Sequence, residues 1–465
     1  SIATGETMLY FIEQLNKLST SFCVFPMILL LGGFLTWKLR GLQFHGLKLG
    51  FNLMLQNKLD DSSSKANEVS SYEAVAGILA GNFGTGNIAG MAVALACGGP
   101  GALVWVWLAA LLGAIVQYAG SYLGSKYRKP EGNTGEFIGG PIACLAFGMR
   151  KKILAGFFAL FTIMTAFCAG NCVQVSCIVP LCAEGTPGKL LVGILLALVV
   201  IPVLAGGNNR ILRFSARVIP FIAGFYCISC GIILFQHASA ILPAIKLICS
   251  SAFGIKAGLA GIGGYTLSQV ISTGINRAVM ATDCGSGMVS ILQANTKSKN
   301  PVVDGLVTLV PPVIVMVVCS ITMLVLIVSG AYSSGAQGTL MVMSAFKNSL
   351  GSLGSVIVIL AMALFGYTTI LTWFACAEKS LQYMIPGRRA NLWLKAIYVL
   401  IIPLGGVIDM RMIWALSDTG FSGMVILNCI ALIALLKDVL STNRDVALLK
   451  ERECSVADPV RNLDA

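Results

Sequence analysis

The sequence has 465 residues, of which 56% are hydrophobic and only 11% charged, and its mean hydropathy is +0.84. Such a chain has too few charged side chains to coat a soluble globule, so its composition predicts a polytopic membrane protein. The net charge of +12 would suggest nucleic-acid binding in a soluble protein. In a membrane protein, basic residues collect in cytoplasmic loops instead, and we expect no nucleic-acid partner.

Apolar runs predict about eleven transmembrane helices in an all-α protein. The first lies at about 23–39 and is followed by a polar stretch that extends to residue 72. The second runs from about 73 to 96. The others lie near 102–123, 154–181, 190–204, 214–235, 257–293, 302–327, 356–383, 392–408 and 413–436.

The second span contains a stretch that should interrupt its helix. Residues 81–90 read Gly-Asn-Phe-Gly-Thr-Gly-Asn-Ile-Ala-Gly, and this density of glycine and asparagine lowers helix propensity sharply. Unwound backbone at membrane depth is tolerated where it lines a cavity, as at the ion and substrate sites of secondary transporters. The alternative is a close-packing face formed by the glycines, but packing does not require the two asparagines and the threonine.

Charge asymmetry predicts the orientation of the chain. If the spans alternate and the amino terminus lies outside, 25 of the 32 Lys and Arg residues fall in inside loops and 6 in outside loops. Cytoplasmic loops carry such an excess of basic residues. We therefore expect a multi-pass protein of the cell (inner) membrane of a bacterium or archaeon, with the amino terminus outside and the carboxyl terminus in the cytoplasm.

Eleven spans divide into one leading helix and two sets of five, which would have opposite topologies. The span at 257–293 would then correspond to the interrupted one, and it carries its own interruption at residues 282–287. Paired interruptions indicate a transporter binding site at an inverted-repeat interface. The predicted units are a leading helix with a cytoplasmic loop (1–72), a first five-helix repeat (73–236), a second five-helix repeat (257–440) and a cytoplasmic tail (441–465).

Six motifs follow one another between residues 73 and 436. They are 84–90 with 98–101, 139–141, 170–174, 277–287, 368–378 and 414–419. In order and span position they resemble the alanine or glycine:cation symporters, the sodium:alanine symporter type. This resemblance implies the amino acid–sodium symporter superfold, a ten-helix inverted repeat whose first and sixth core helices are unwound.

The chain departs from that family's pattern at three places. Residues 281–285 read Ala-Thr-Asp-Cys-Gly where Ser-Asn-Glu-Ala-Gly is usual, so the acid is kept but shortened. Gly120 stands where many members carry a glutamate, and Thr372 stands where glycine is usual. These departures bear on substrate preference rather than on fold.

A zwitterionic amino acid needs a positive environment for its carboxylate and acceptors for its amino group. The freed N–H groups at the first break begin a half-helix, whose positive end suits a carboxylate. The residues concerned are Gly84, Thr85, Gly86 and Asn87. The candidate acceptors are Thr282, Asp283 and, chiefly from the resemblance, Gln174.

These acceptors have structural alternatives. An acid at the bilayer centre costs about 2.5–3.5 kcal/mol on insertion scales, so Asp283 needs either a use or a partner, and Arg277 could be that partner. Gln174 could equally form a helix–helix hydrogen bond. Trp373 could limit substrate size beside the site or could simply pack against its neighbours.

The resemblance also implies a sodium site at the cation position that the superfold shares. Its ligands would be the carbonyls of Ala80 and Phe83 and the hydroxyls of Thr368 and Thr369. Unwound backbone carbonyls coordinate sodium in transporters of this kind. The alternative is that the two threonines bond back to their own helix.

Together these features predict a secondary active symporter that takes up a small neutral amino acid, alanine or glycine in D or L form, with sodium as the coupling ion. One cation moving inward down 100 mV releases about 2.3 kcal/mol, which corresponds to about fifty-fold accumulation and requires no ATP. A proton could replace sodium, with Asp283 or Glu378 titrating. An amino-acid-responsive channel or receptor-like protein is the alternative outside transport. A membrane enzyme would need a convergent acid, base or metal set, and the sequence presents none, so we expect no catalytic residue.

Overall fold

The computed structural model describes residues 2–59, 69–130, 137–253, 266–283, 285–298 and 300–457, and these are almost entirely helical. The α-helices are α1 Ile2–Ser19, α2 Phe25–Lys38, α3 Leu42–His45, α4 Leu47–Leu59, α5 Ser71–Asn82, α6 Ala89–Gly98, α7 Ala102–Lys126, α8 Gly140–Ala143, α9 Lys152–Phe167, α10 Val173–Cys182, α11 Gly185–Leu204, α12 Asn208–Gln236, α13 Ala238–Ser251, α14 Leu267–Thr282, α15 Met288–Gln293, α16 Pro301–Val307, α17 Val310–Val328, α18 Gly338–Met384, α19 Arg388–Ile401, α20 Met410–Ala434 and α21 Leu436–Ala457.

Shorter elements join several of these helices. Single π turns continue α1, α8 and α9, and short 3₁₀ turns follow α5, α17 and α19. Two strands, β1 Lys129–Pro130 and β2 Phe137–Ile138, form a small antiparallel hairpin beyond the end of α7. Within α18, Gly351 has φ 63° and ψ −144°, so this long element is two helices joined at a sharp kink.

Eight helical segments among the described residues are long and apolar enough to cross a bilayer. They are Glu6–Lys38, Ala102–Lys126, Lys152–Cys182, Gly185–Leu204, Asn209–Gln236, Pro301–Val328, Gly338–Met384 and Met410–Ala434. The pair α5 and α6, bent by 60°, makes a ninth.

Nine of the eleven predicted spans coincide with these segments. Of the other two, the predicted span 257–293 lies partly outside the described residues, and the predicted span 392–408 corresponds to α19, which has only 14 residues and is followed by a 3₁₀ turn. The count of eleven spans, the five-plus-five repeat and the unit boundaries therefore stay predictions.

The interruption predicted in the second span is confirmed. A capping box between Ser70 and Glu73 begins α5, which ends at Asn82. The chain then leaves the helix through Phe83 and Gly84, makes one 3₁₀ turn at Thr85–Asn87, and enters α6 at Ala89. The glycines and asparagines that lower helix propensity are therefore the residues at which the helix stops.

The interruption predicted at residues 282–287 is also present. Helix α14 ends at Thr282, and Asp283 adopts the left-handed conformation with φ 59°. Gly285 and Gly287 have φ 76° and 90°, a region that glycine adopts without steric cost. Residue 284 lies outside the described residues. Helix α15 then begins at Met288.

The helices that carry the two breaks pack against one another and share neighbours. Helix α14 lies against α6 and α7, whereas α18 packs on α5, α9, α10 and α12. The leading helices α1 and α2 lie against α20 and α7. There Asn16 donates to the carbonyl of Ala415 at 2.7 Å and accepts from the Thr419 hydroxyl at 2.8 Å. The leading segment is thus hydrogen-bonded to the second half of the chain.

Close packing at glycine makes a testable prediction. A Cβ atom at Gly124 in α7 would lie 2.7 Å from the Cα of Gly140 and 2.8 Å from its nitrogen, and backbone atoms of this kind cannot move aside easily. We expect Gly124→Ala to destabilise the protein by about 1–3 kcal/mol through overpacking. Thermal unfolding in detergent measures this effect.

The matched control is Gly156→Ala in α9, where a Cβ atom meets nothing within 4 Å. Because alanine is the better helix former, this control should leave the unfolding midpoint unchanged or raise it slightly. Equal midpoints for the two variants would contradict the packing that the structure describes.

Candidate functional site

The first break is buried in the middle of the packed helices. Its turn, Thr85–Asn87, contacts α10, α14, α17 and α18, and a Cβ atom at Gly86 would lie 3.3 Å from the Cε of Met280. The side-chain amide of Asn87 donates to the carbonyl of Asn82 at 2.7 Å. Asn82 Nδ2 and Asn87 Oδ1 are buried and have no hydrogen-bond partner among the described residues. The break therefore offers one free donor and one free acceptor.

Gln174 on α10 holds the turn of this break in place. Its Oε1 atom accepts from the backbone N–H and from the hydroxyl of Thr85, both at 2.9 Å. Its Nε2 atom donates to the carbonyl of Ala169 at 2.8 Å. Gln174 thus makes the interhelical contact that was the structural alternative, and direct contact with a substrate stays a prediction.

Two of the four predicted cation ligands are in direct contact. The hydroxyl of Thr369 on α18 donates to the carbonyl of Ala80 on α5 at 2.8 Å. The hydroxyl of Thr368 instead bonds back to Leu364 and Phe365 of its own helix, at 3.2 and 3.0 Å. Of these two threonines, Thr369 is therefore the one whose hydroxyl links α18 to the first break.

The other residues at the end of α5 lie against the same side chains. A Cβ atom at Gly84 would lie 2.8 Å from Gln174 Oε1 and 2.9 Å from Thr369 Oγ1. The ring of Phe83 packs against that of Phe365 with centroids 5.9 Å apart. A side chain at position 84 would therefore meet the polar groups of α10 and α18, and glycine there permits their approach.

The second break satisfies its own polar groups. The buried carboxylate of Asp283 accepts from the Ser286 hydroxyl and, at 3.1 Å, from the backbone N–H of Val289 at the start of α15. The hydroxyl of Thr282 donates to the carbonyl of Ala278 at 2.8 Å. Asn428 on α20 donates to the carbonyl of Gly285 at 2.8 Å. Contact of Thr282 or Asp283 with a substrate stays a prediction.

The ion pair considered between Arg277 and Asp283 is wrong. Arg277 lies 3.3 Å from Asp418 on α20, and its guanidinium lies 4.5 Å from the ring centre of Trp414. Because the side chain of Arg277 leaves α14 towards α20, it cannot also pair with the acid beyond the end of α14. A cavity of about 480 Å³ opens beside this pair, and it is lined in part by Glu13, Lys17, Asn276, Arg411 and Asp418.

Trp373 is buried in α18 next to Thr372. A Cβ atom at Gly170 would collide with its Cβ, and its ring meets that of Phe421 edge to face at 5.5 Å. A Cβ atom at Gly81 would lie 3.0 Å from the Cγ2 atom of Thr372. Trp373 is therefore tightly packed, and its neighbour Thr372 contacts α5. A role of Trp373 in limiting substrate size stays a prediction.

Sequence reasoning singled out Asn82 in the first break but assigned it no contact, and it missed Asn428. Asn82 supplies the free donor at the first break, and Asn428 holds the backbone of the second. Asn428 is an asparagine inside an apolar run, which is the same signal that singled out Asn82 and Asn87. A polar amide in a membrane helix needs a partner, so this signal could have identified Asn428.

Comparisons with known proteins cover nearly the whole chain. The profile of the sodium:alanine symporter family matches residues 6–455. An uncharacterised transporter of Haemophilus influenzae is 33% identical over 428 residues, 90% of this chain and 92% of the relative. The sodium/alanine symporter AgcS of Methanococcus maripaludis is 32% identical over 445 residues, 93% of this chain and 96% of the relative. Both interrupted helices lie inside the matched range.

The hydrogen bonds of Gln174 predict the effect of replacing it. Gln174→Leu leaves the backbone N–H of Thr85 buried without its acceptor, and we expect the free energy of unfolding to fall by about 1–3 kcal/mol. The control is Ser176→Ala on the same helix, because the Ser176 hydroxyl donates to the Val173 carbonyl one turn earlier and takes no part in the contact with Thr85. Thermal unfolding in detergent compares the two variants. Equal losses would mean that Gln174 does not hold the turn.

Proposed function

Since the chain belongs to the sodium:alanine symporter family, we propose that it takes up a small neutral amino acid, alanine or glycine in D or L form, together with sodium. Its apolar helices and its family make it a multi-pass membrane protein. The observation that carries the proposal is the buried break between α5 and α6, with a free donor and a free acceptor beside a carbonyl–hydroxyl pair. Transport would proceed by alternating access, driven by the sodium gradient and the membrane potential.

The chemistry of the break supports a zwitterionic substrate. A carboxylate accepts hydrogen bonds, and Asn82 Nδ2 is a buried donor without an acceptor. An ammonium group donates, and Asn87 Oδ1 is a buried acceptor without a donor. Buried polar groups in folded proteins are almost always paired, so a ligand that carries both kinds of group suits this position. The start of α6 adds the positive end of a helix dipole for the carboxylate.

The crowding of the break supports a small substrate. Atoms of Gln174 and Thr369 lie within 2.9 Å of where a Cβ at Gly84 would stand. Phe83, Met280 and Phe365 enclose the turn from other sides. This close approach of neighbouring side chains favours alanine and glycine over larger neutral amino acids.

The contact between Thr369 and Ala80 supports sodium as the coupling ion. Both contribute neutral oxygen atoms, and neither can take up a proton near neutral pH. A bound sodium ion would take the place of this hydrogen bond: the Thr369 hydroxyl keeps its proton and turns it away, so that its oxygen and the Ala80 carbonyl both face the ion. Because Ala80 lies on α5 and Thr369 on α18, the ion would join the two halves of the chain next to the substrate position.

Proton coupling is the second candidate within transport, and the acids that it requires have partners. Asp283 accepts from Ser286 and Val289, and Glu378 lies 3.5 Å from Lys395. A channel-like or receptor-like role has no comparable support in the structure. We further propose, from the distribution of basic residues, that the amino terminus lies outside a bacterial or archaeal inner membrane and the carboxyl terminus in the cytoplasm.

The proposal is tested by uptake of radiolabelled alanine and glycine into proteoliposomes. One arm imposes an inward sodium gradient, and the other replaces sodium by potassium and imposes a proton gradient. We expect accumulation only in the sodium arm. Accumulation only in the proton arm would transfer the coupling role to the acids. If neither gradient concentrates either amino acid while the protein is folded, the proposed substrate class is wrong.

Neighbouring threonines provide a sharper test of the cation position. Thr369→Ala should raise the sodium concentration for half-maximal uptake by about tenfold, equivalent to about 1.4 kcal/mol of lost binding. Thr368→Ala should change it by less than about twofold, because its hydroxyl already bonds to its own helix. Thr369→Ser keeps the hydroxyl and should restore the wild-type value. If both alanine variants shift the sodium dependence equally, the pair Ala80 and Thr369 is not the cation position.

A further inference from the structure

A fully buried carboxylate lies on a helix that contributes none of the polar groups of the first break. Asp304 belongs to α16 and is 0% exposed. Its Oδ1 atom accepts from Gln293 Nε2 at 3.1 Å and from the Thr296 hydroxyl at 2.8 Å. Its Oδ2 atom accepts no hydrogen bond from any described residue. A buried charge of this kind is costly unless it is paired or coordinates an ion.

Two more side-chain oxygen atoms lie beside this carboxylate. Gln293 Oε1 belongs to the amide that donates to Asp304, and the hydroxyl of Ser125 at the end of α7 faces the same carboxylate. Both atoms are buried, and Gln293 Oε1 has no hydrogen-bond partner within the described ranges, whereas the Ser125 hydroxyl is placed to donate to the carboxylate. The end of α7, the end of α15 and the start of α16 thus bring a carboxylate, an amide oxygen and a hydroxyl to one place.

The basic side chain nearest to Asp304 in its electrostatic effect, Arg128, forms its hydrogen bonds with other groups. The guanidinium of Arg128 donates to the carbonyls of Ala294 at 2.9 Å, Thr296 at 3.3 Å and Ser298 at 2.7 Å. These carbonyls follow the carboxyl end of α15, where a positive charge is favourable. Arg128 influences Asp304 through space, but in the described part of the chain no hydrogen bond or ion pair joins them. The Oδ2 atom therefore has no direct cationic partner in the described part of the chain.

The oxygens of a carboxylate, an amide and a hydroxyl are ligands that suit a hard cation. A proton on Oδ2 would neutralise the same charge, and the sodium dependence of binding distinguishes the two cases. A metal cation contacts several oxygen atoms at once. One carboxylate balances a single positive charge, and no group of three or more His, Cys, Asp or Glu side chains occurs among the described residues, so a monovalent ion fits better than a divalent one.

We propose that Asp304, Gln293 and Ser125 form a second sodium site, distinct from the cation position at Ala80 and Thr369. The carboxylate Oδ2, the amide Oε1 and the hydroxyl Oγ are its ligands. The choice of sodium over other monovalent cations rests on the proposed function. The ion joins α7, α15 and α16 at a point where side chains of all three meet.

The position of this site suggests what its occupancy controls. The segment after α15 is bonded to the residues that lead into α5, since Lys297 N–H donates to the Val69 carbonyl at 3.0 Å and Val69 N–H donates to Asn295 at 3.3 Å. A cation at Asp304 stabilises the end of α15 and therefore this contact. It thus stabilises the arrangement in which the segment after α15 is hydrogen-bonded to the segment before α5.

The test is equilibrium binding of ²²Na⁺ to the purified full-length protein in choline buffer without amino acid. Asp304→Asn is isosteric and removes the charge, and it should bind one sodium ion fewer per chain than the wild type. Ser125→Ala keeps the carboxylate and should weaken the affinity of one ion without affecting the other. Thr369→Ala should lose the other ion, and the double variant Asp304→Asn, Thr369→Ala should lose both.

Asp438→Asn is the matched control, because Asp438 binds Tyr127 at 2.6 Å and Lys126 at 3.1 Å, outside the proposed site. It should bind as much sodium as the wild type. Wild-type binding by a folded Asp304→Asn variant, with folding checked by thermal unfolding, would overturn the proposal. So would protection against unfolding that depends on pH and not on sodium, since the carboxylate would then hold a proton. Loss in Asp304→Asn with none in Thr369→Ala would support this site and contradict the cation position of the proposed function.

Discussion

The organisation of the molecule depends on one constraint: unwound backbone inside a membrane protein must find its hydrogen-bond partners within the protein. Between α5 and α6 the partners are side chains. Gln174 accepts from Thr85, and the amide of Asn87 returns to the end of α5. These bonds require α10 and α18 to approach the break closely, and glycine at position 84 permits that approach. The packing of the central helices follows from this requirement.

The two breaks meet this constraint differently. The second is closed by its own residues, since Asp283 accepts from Ser286 and from the first turn of α15, with one amide from α20. The first is held by neighbouring helices and keeps an amide donor and an amide acceptor without partners. A second break closed by its own hydrogen bonds beside an incompletely satisfied first one suits a site in which the ligand itself completes the hydrogen bonding of the first.

Charged groups in the interior follow the same rule. Arg277 is matched by Asp418 and stacked on Trp414, and Arg128 is matched by carbonyls at a helix end. Asp304 has donors for only one of its oxygens. A buried charge without a direct partner is costly and is therefore kept only where it has a use. Asp304 for this reason carries more functional information than Arg277 and Arg128, whose partners are complete.

The sequence by itself determined the membrane class, most of the spans and the positions of both breaks, because hydropathy and glycine content act locally and lipid offers no alternative partner. It did not determine which side chains meet. Thr368 and Thr369 are adjacent, and since successive residues point about 100° apart around a helix, only the packing of α18 on α5 decided that Thr369 faces Ala80. Arg277 likewise pairs with Asp418, 141 residues away, rather than with the nearer Asp283, because the direction of a side chain from its helix is fixed by tertiary packing and not by separation along the chain.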